Sequence, residues 1–167
     1  MLTIGYYISF ERNTQMLFID SLWDLGYYCK IETFLEEHIM EITVGLKGQA
    51  TNLVEREDTA YEVGSGSLLV YATPCMVALM EGAACDAIAE YLPEDKTSVG
   101  TMLNISHVSA TPVGLEVRAE AEITAVEGNK LCFKVSAYDE AGLIGEGTHE
   151  RFIVSSQRFL DKTYSKL

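Results

Sequence analysis

No part of this chain approaches the roughly 20 consecutive apolar residues needed to cross a bilayer. The short apolar patch IGYYISF near its start has no basic segment ahead of it, so neither a membrane span nor a secretory leader is read and a cytoplasmic protein is expected. Basic residues are scarce: 12 Lys and Arg stand against 25 Asp and Glu, for a net charge of -13. That balance argues against nucleic acid or an anionic membrane surface as partner, since both select for basic patches. It leaves phosphate-bearing small ligands to local Lys or Arg. The four cysteines, Cys29, Cys75, Cys85 and Cys132, contain no C-x-x-C pair, and the three histidines fit no zinc spacing. No metal is therefore expected. Cys75 and Cys85 share one helical stretch but would stand about 15 Å apart along its axis, too far for a disulfide, so reduced, structural thiols are the expectation.

What is present fits one domain with a real core: 167 residues, 48% of them hydrophobic. Leu115, Val117, Ala119, Ala121, Ile123 and Ala125 alternate with Glu116, Arg118, Glu120, Glu122 and Thr124, the pattern of a half-buried strand. VEGNK then turns the chain into LCFKVSAYD, and DEAG turns it into LIGEGTHERFIV, which predicts an antiparallel meander of three strands. TSVGTMLNISHVSA upstream reads as a fourth strand and KGQATNLVER as a fifth. One long helix, residues 71 to 92, precedes four of these strands. The layout is α+β, with a single helix on one sheet face and the other surface and edges left to a partner chain, so at least a homodimer is expected.

Residues 1–39 read differently. They are rich in aromatics, including Tyr6, Phe18, Trp23 and Phe34, without a sustained period, and they form an uncertain N-terminal extension. Codons for Glu36 and Glu37 can spell a purine-rich GAGGAG, separated from Met40 by two codons. That resembles a bacterial ribosome-binding site, so Met40 is an alternative start, alongside a genuine extension or partner-binding segment. Residues 40–167 form the expected folded domain.

The stretch YATPCMVALMEGAACDAIAEYL carries the first chemical signal. At about 100° per residue, Ile88, Ala84, Tyr91 and Met80 fall within about 60° of Val77, and Glu81 falls inside the same stripe at about 40°. Asp86 and Glu90 lie opposite, so a solvated face exists and Glu81 is not on it. A carboxylate among apolar neighbours must be paired, hydrogen-bonded or protonated. In the fourth strand Thr101, Leu103, Ile105, His107 and Ser109 share a face, so His107 continues an apolar side. Glu81 and His107 would then form an inward general acid and base pair; the same spacing also fits a buried pair that only orders the core. Thr73, followed by Pro74, reads as the helix N-cap. It lies on the Glu81 side at a helix start that favours negative charge, but about 12 Å of helix separates the two, so in a dimer each would face a group from the other subunit.

Four stretches together resemble the hot-dog-fold thioesterases, and among them the fluoroacetyl-CoA thioesterase group: YATPCMVALMEGAACDAIAEYL, VGTMLNISHVSATPVGLEVRAEAEI, VEGNKLCFKVSAYDEAG and IGEGTHERFIV. The similarity spans about residues 41–160. It implies a hot-dog fold and hydrolysis of an acyl-CoA thioester at a dimer interface, without metal or redox cofactor. The family's catalytic Thr, Glu and His match Thr73, Glu81 and His107, and its site-associated Gly and Arg match Gly100 and Arg151. Alternation alone does not select Arg151, because neither face of its strand is cleanly apolar; an ordinary surface arginine is the other reading. A hot-dog hydratase or dehydratase, or a non-catalytic acyl-CoA binder, would share the pattern. One departure stands before the helix: where the fluoroacetyl-CoA-specific member carries aromatic lid residues, this chain has Gly64 and Ser67 in VGSGSLLVY. The loop is expected to be mobile and the acyl selectivity broad.

Overall fold

In the computed structural model, residues 6–10, 13–17 and 41–167 are described. The chain divides into two units, Met1–Ile39 and Met40–Leu167. In the first, strands β1 (Tyr6–Phe10) and β2 (Asn13–Leu17) pair antiparallel; its remaining residues, and with them the question of the Met40 start, lie outside the described ones.

The second unit contains β3 (Lys47–Leu53), helix α1 (Thr73–Asp86), β4 (Lys96–His107), β5 (Glu116–Glu127), β6 (Lys130–Asp139), β7 (Gly142–Ser155) and a short helix α2 (Ser156–Tyr164). The meander forms because its turns have the chemistry they need. Gly128 takes φ +60 between β5 and β6, and the Asp139 carboxylate accepts from the amides of Ala141 and Gly142 in the next turn. The antiparallel sheet has the order β3-β5-β6-β7-β4. Thus β4 closes onto β7 and not onto its neighbour in sequence, and β3 and β4 are the edges. On β5, Val117, Ala119, Ala121 and Ile123 are buried as the alternation requires.

Small residues let α1 lie against this sheet. Ala83 and Ala87 sit directly over Gly48 of β3, where an added methyl would strike the helix backbone. Met76, Met80, Phe133, Leu131 and Ile144 fill the remaining core, each large side chain contributing roughly 1.5–3 kcal/mol by its burial.

The helix differs from the expected 71–92 span. It ends at Asp86, whose carboxylate accepts from the Gln49 amide; Ile88 leaves helical geometry to enter the core, and Ala89–Tyr91 form a single 3-10 turn. Pro93 bars any return to the helix beyond it. Helix α2 was not expected at all. Phe159, Leu160 and Tyr164 share one face of it opposite Arg158, Asp161 and Lys162, a short helical pattern that the sequence reading overlooked; these side chains are exposed. Among the described residues no helix is long and apolar enough to cross a membrane.

Candidate active site

The buried stripe of α1 is Met76, Met80, Ala83 and Ala84, continued by the C-cap Ala87, and Glu81 lies about 115° from its centre at about 100° per residue. Glu81 is therefore not in the core stripe, as its position relative to Val77 suggested, but on the flank, with its side chain 35% exposed. Its partner is not His107 of the same chain either. The Arg151 Nη1 donates to Glu81 Oε1 at 3.4 Å, and the sheet explains why. Gly100 of β4 and Arg151 of β7 are directly opposed in the register, and the missing side chain at Gly100 is what admits the carboxylate: an added methyl would overlap Glu81 Oε1.

Arg151 is only 5% exposed, which settles it as an interior arginine and not an ordinary surface one. Its Nε donates to Ser98 Oγ at 2.8 Å, its Nη2 to the Ser98 carbonyl at 2.9 Å, and its Nη1 also reaches His149 Nε2 at 3.1 Å. His149 is fully buried, tilted against Phe133, and holds its Nδ1 2.9 Å from the Met102 carbonyl. A carbonyl only accepts, so Nδ1 carries the proton and Nε2 presents its lone pair to Arg151. Burial pushes the His149 pKa down, the neighbouring Arg151 charge acts in the same direction, and the Met102 carbonyl and Glu81 oppose them. The 3.6 Å approach of His149 Nε2 to Glu81 is thus not an ion pair; the Arg151 Nη1 bridges two acceptors. A β-bulge between Gly100 and Met102 interrupts the ladder beside this cluster, the kind of irregularity that re-aims groups at sites.

The second cluster joins the other two expected residues. Thr73 Oγ1 and His107 Nδ1 are 2.9 Å apart. The N-cap of α1 is Ala72, and Thr73 opens the helix without a side-chain cap, so its hydroxyl serves His107 and not the helix end. His107 Nε2 is enclosed and has no hydrogen-bond partner. Ser109 and Leu103, expected on the same inward face, are exposed, Leu103 at 41%. One chain therefore holds two groups, Thr73 with His107 and Glu81 with Gly100, Arg151 and His149. A concavity of about 540 Å³ bounded by Lys47, Asp86, Glu122, Lys134 and Tyr138 contains none of them.

His149 was missed by the sequence reading. The signal was in the strand itself: Gly147, His149 and Arg151 alternate with Glu146, Thr148 and Glu150, so the inward face of β7 carries glycine and polar side chains where apolar ones were sought. The loop before α1, expected to be mobile at Gly64 and Gly66, carries internal backbone bonds. The amides of Ala60, Tyr61, Ser65 and Gly66 are bonded within it, and Leu68 and Leu69 stand exposed at its end. Among the described residues Cys75, Cys85 and Cys132 form no disulfide. Burial first, then Asp58, pushes the Cys75 thiol up, which keeps it protonated and a poor nucleophile. Among the described residues no cluster of His, Cys, Asp and Glu could hold a metal.

The geometry yields one direct expectation. Gly100→Ala should displace Glu81 and crowd His149 Cε1, 3.2 Å from the new methyl. Turnover should fall by about 10²-fold, the scale of a misplacement near 1 Å. Gly100 does not use a left-handed conformation, so the melting temperature should hold. Steady-state kinetics beside a thermal melt checks both.

The curled five-stranded antiparallel sheet with α1 laid against it is the hot-dog fold, shared with a hot-dog-like protein of Thermanaerovibrio acidaminovorans (24% identity, 75% of this chain and 93% of that one, TM-score 0.68). A Thermus thermophilus thioesterase superfamily member is 29% identical over 77% of this chain and 99% of its own, with a TM-score of 0.67. The family model for fluoroacetyl-CoA-specific thioesterase matches residues 54–157, and the chain belongs to that family. The fluoroacetyl-CoA thioesterase of Streptantibioticus cattleyicolor is 44% identical over 97 residues, 58% of this chain and 70% of that protein. A solved fluoroacetyl-CoA thioesterase structure covers 76% of this chain and 98% of its own, at 35% identity and TM-score 0.72.

Proposed function

We propose that this protein is an acyl-CoA thioesterase acting on short acyl-CoA thioesters, with a site completed across a homodimer. The observation that carries the reading is the division of the polar groups: a carboxylate aimed by Arg151 and admitted by Gly100, and an imidazole whose Nδ1 is held by Thr73 while Nε2 is enclosed and unpartnered. Each is half of an acid and base arrangement. The edge strand β4 supports a second copy, because Met102 and Leu103 are exposed along it at 38% and 41% beside the two groups.

In this reading water attacks the thioester carbonyl, Glu81 removes its proton, the C–S bond breaks, and the CoA thiolate leaves as a thiol with a proton from His107. Thr73 positions the carbonyl or the water at the start of α1, where the helix favours developing negative charge. Direct attack by Glu81 through an acyl-enzyme gives the same products. Label in the Glu81 carboxylate after a single turnover in 18O-labelled water would establish the acyl-enzyme route, with water opening the anhydride at the glutamyl carbonyl; trapping of the acyl-enzyme tests opening at the acyl carbonyl, which labels only the released acid. The reading includes a cytoplasmic location, consistent with a CoA substrate. A threonine-to-serine mutant of a fluoroacetyl-CoA thioesterase has been solved in complex with acetyl-CoA, which supports CoA as the carrier.

Selectivity should be broad, since Gly64 and Ser67 offer no aromatic wall beside Leu68 and Leu69. Across a panel of short acyl-CoAs, kcat/KM for acetyl-CoA and fluoroacetyl-CoA should differ by no more than about 10²-fold, the range a small apolar difference supports. Hydrolysis of fluoroacetyl-CoA alone would place selectivity in the site itself. Enoyl-CoA hydration without thiol release would instead identify a hydratase, and binding without either reaction a non-catalytic binder.

A further inference from the structure

We propose that His149 is a positioning residue for the reaction: its Nε2 lone pair locks the Arg151 guanidinium in the orientation that holds Glu81 on line. The proposal rests on Glu81 being the reacting carboxylate, and it adds a residue to which the reaction assigns no other task.

Three facts lead to it. First, a guanidinium has five N–H donors in a rigid fork. In Arg151 one edge is fixed by Ser98, through Nε to Oγ and Nη2 to the carbonyl. The Nη1 that remains serves Glu81 at 3.4 Å and His149 at 3.1 Å, so the shorter contact is to the histidine and the functional one is the longer. Second, Arg151 is 5% exposed and His149 fully buried. An interior Nη1 that loses its acceptor cannot turn to water at no cost, and the fork must re-aim to satisfy it. Third, His149 can accept only while neutral and protonated on Nδ1, and the structure enforces that state through the Met102 carbonyl at 2.9 Å and the apolar wall of Phe133. The bulge between Gly100 and Met102 lies in the strand that supplies both that carbonyl and the glycine under Glu81. Carboxylate, arginine and histidine are thus held from one pair of strands, β4 and β7.

Three substitutions separate positioning from packing. Asn places its amide at the level of Nδ1 and keeps the bond to Met102 alone. Gln reaches the level of Nε2 and keeps an acceptor for Arg151. Leu keeps volume and neither bond. His149→Gln should retain kcat within about tenfold of wild type, whereas His149→Asn and His149→Leu should each lose about 10²-fold in kcat with KM little changed, as expected when a group held for the transition state is misplaced. If the Leu protein does not fold, the Gln and Asn pair still decides. Equal losses for Gln and Asn, or wild-type turnover by Asn or Leu, would overturn the proposal.

A second readout needs no activity. The folded pKa of His149 lies below the ordinary 6.5, so below that pH the unfolded chain binds the proton that the folded one refuses, and stability is lost as pH falls from 6.5 toward the folded value. The charged groups facing this imidazole are Arg151 and Glu81. Wild-type melting temperature should drop across that window and the His149→Gln protein should lack this part of the drop. Identical pH profiles would mean that His149 is not held neutral, and the proposal would fail on structure alone. If the pH readout succeeds while no acyl-CoA releases thiol, the fault lies with the thioesterase reading and not with the His149 geometry.

Discussion

Glu81→Gln should abolish thiol release, with kcat reduced by about 10³-fold or more, within the span of general acid and base effects, while the protein stays folded. The amide has nearly the shape of the carboxylate and its Oε1 can still accept from Arg151 Nη1, but it can neither take a proton from water nor attack a carbonyl. Arg151 would keep Ser98 Oγ, the Ser98 carbonyl and His149 Nε2 as acceptors, so no buried donor is stranded. Because Glu81 is 35% exposed, its charge contributes little to stability through the ion pair, and the melting temperature should move by only a few degrees. Wild-type turnover by the Gln protein, measured as thiol release under saturating acetyl-CoA, would return Glu81 to a purely structural role.

His107→Ala should lower kcat by about 10²-fold or more, with the loss on kcat and not on KM. Its imidazole joins Thr73 through Nδ1 while Nε2 is enclosed and without a partner, which leaves that nitrogen free for the proton-carrier role proposed for it. It is half-buried on an edge strand, so truncation should remove little packing. Unchanged turnover with a large fall in melting temperature would mark it as a core residue instead.

Much of the fold could be read because β5 has water on one face and core on the other, so Val117 to Ile123 alternate strictly and the turns at Gly128 and Asp139 punctuate them. The same logic failed for β7, whose inward side is lined by Gly147, His149 and Arg151: a strand that presents a site to the interior has no apolar period to detect. Glu81 was found by its helical position, but the helix was taken as centred near Val77 when the small residues Ala83, Ala84 and Ala87 turn its face toward Met76 and Met80. Alanine carries too little apolar surface to outweigh valine and tyrosine in a periodicity argument, yet it decides which face can approach Gly48. Gly100 and Arg151 came only from family resemblance, since a glycine's value here is an absent methyl that no pattern displays. The Glu81–Arg151 contact joins residues 70 positions apart, and such pairing depends on β4 docking on β7 across the intervening meander.

In the proposed dimer, Glu81 of one copy works with Thr73 and His107 of the other on an acyl-CoA thioester. Mixing the purified Glu81→Gln and His107→Ala proteins, exchanging their subunits, and measuring thiol release from acetyl-CoA tests it most directly. In each mixed dimer one site would combine an intact Glu81 with an intact His107 and the other site would lack both. Statistical exchange should therefore restore about one quarter of wild-type activity in a two-fold symmetric pair, far above the sum of the two parents. Activity that stays at the sum of the parents, with mixed dimers shown to have formed, would place the whole site within one chain and rule out a shared one.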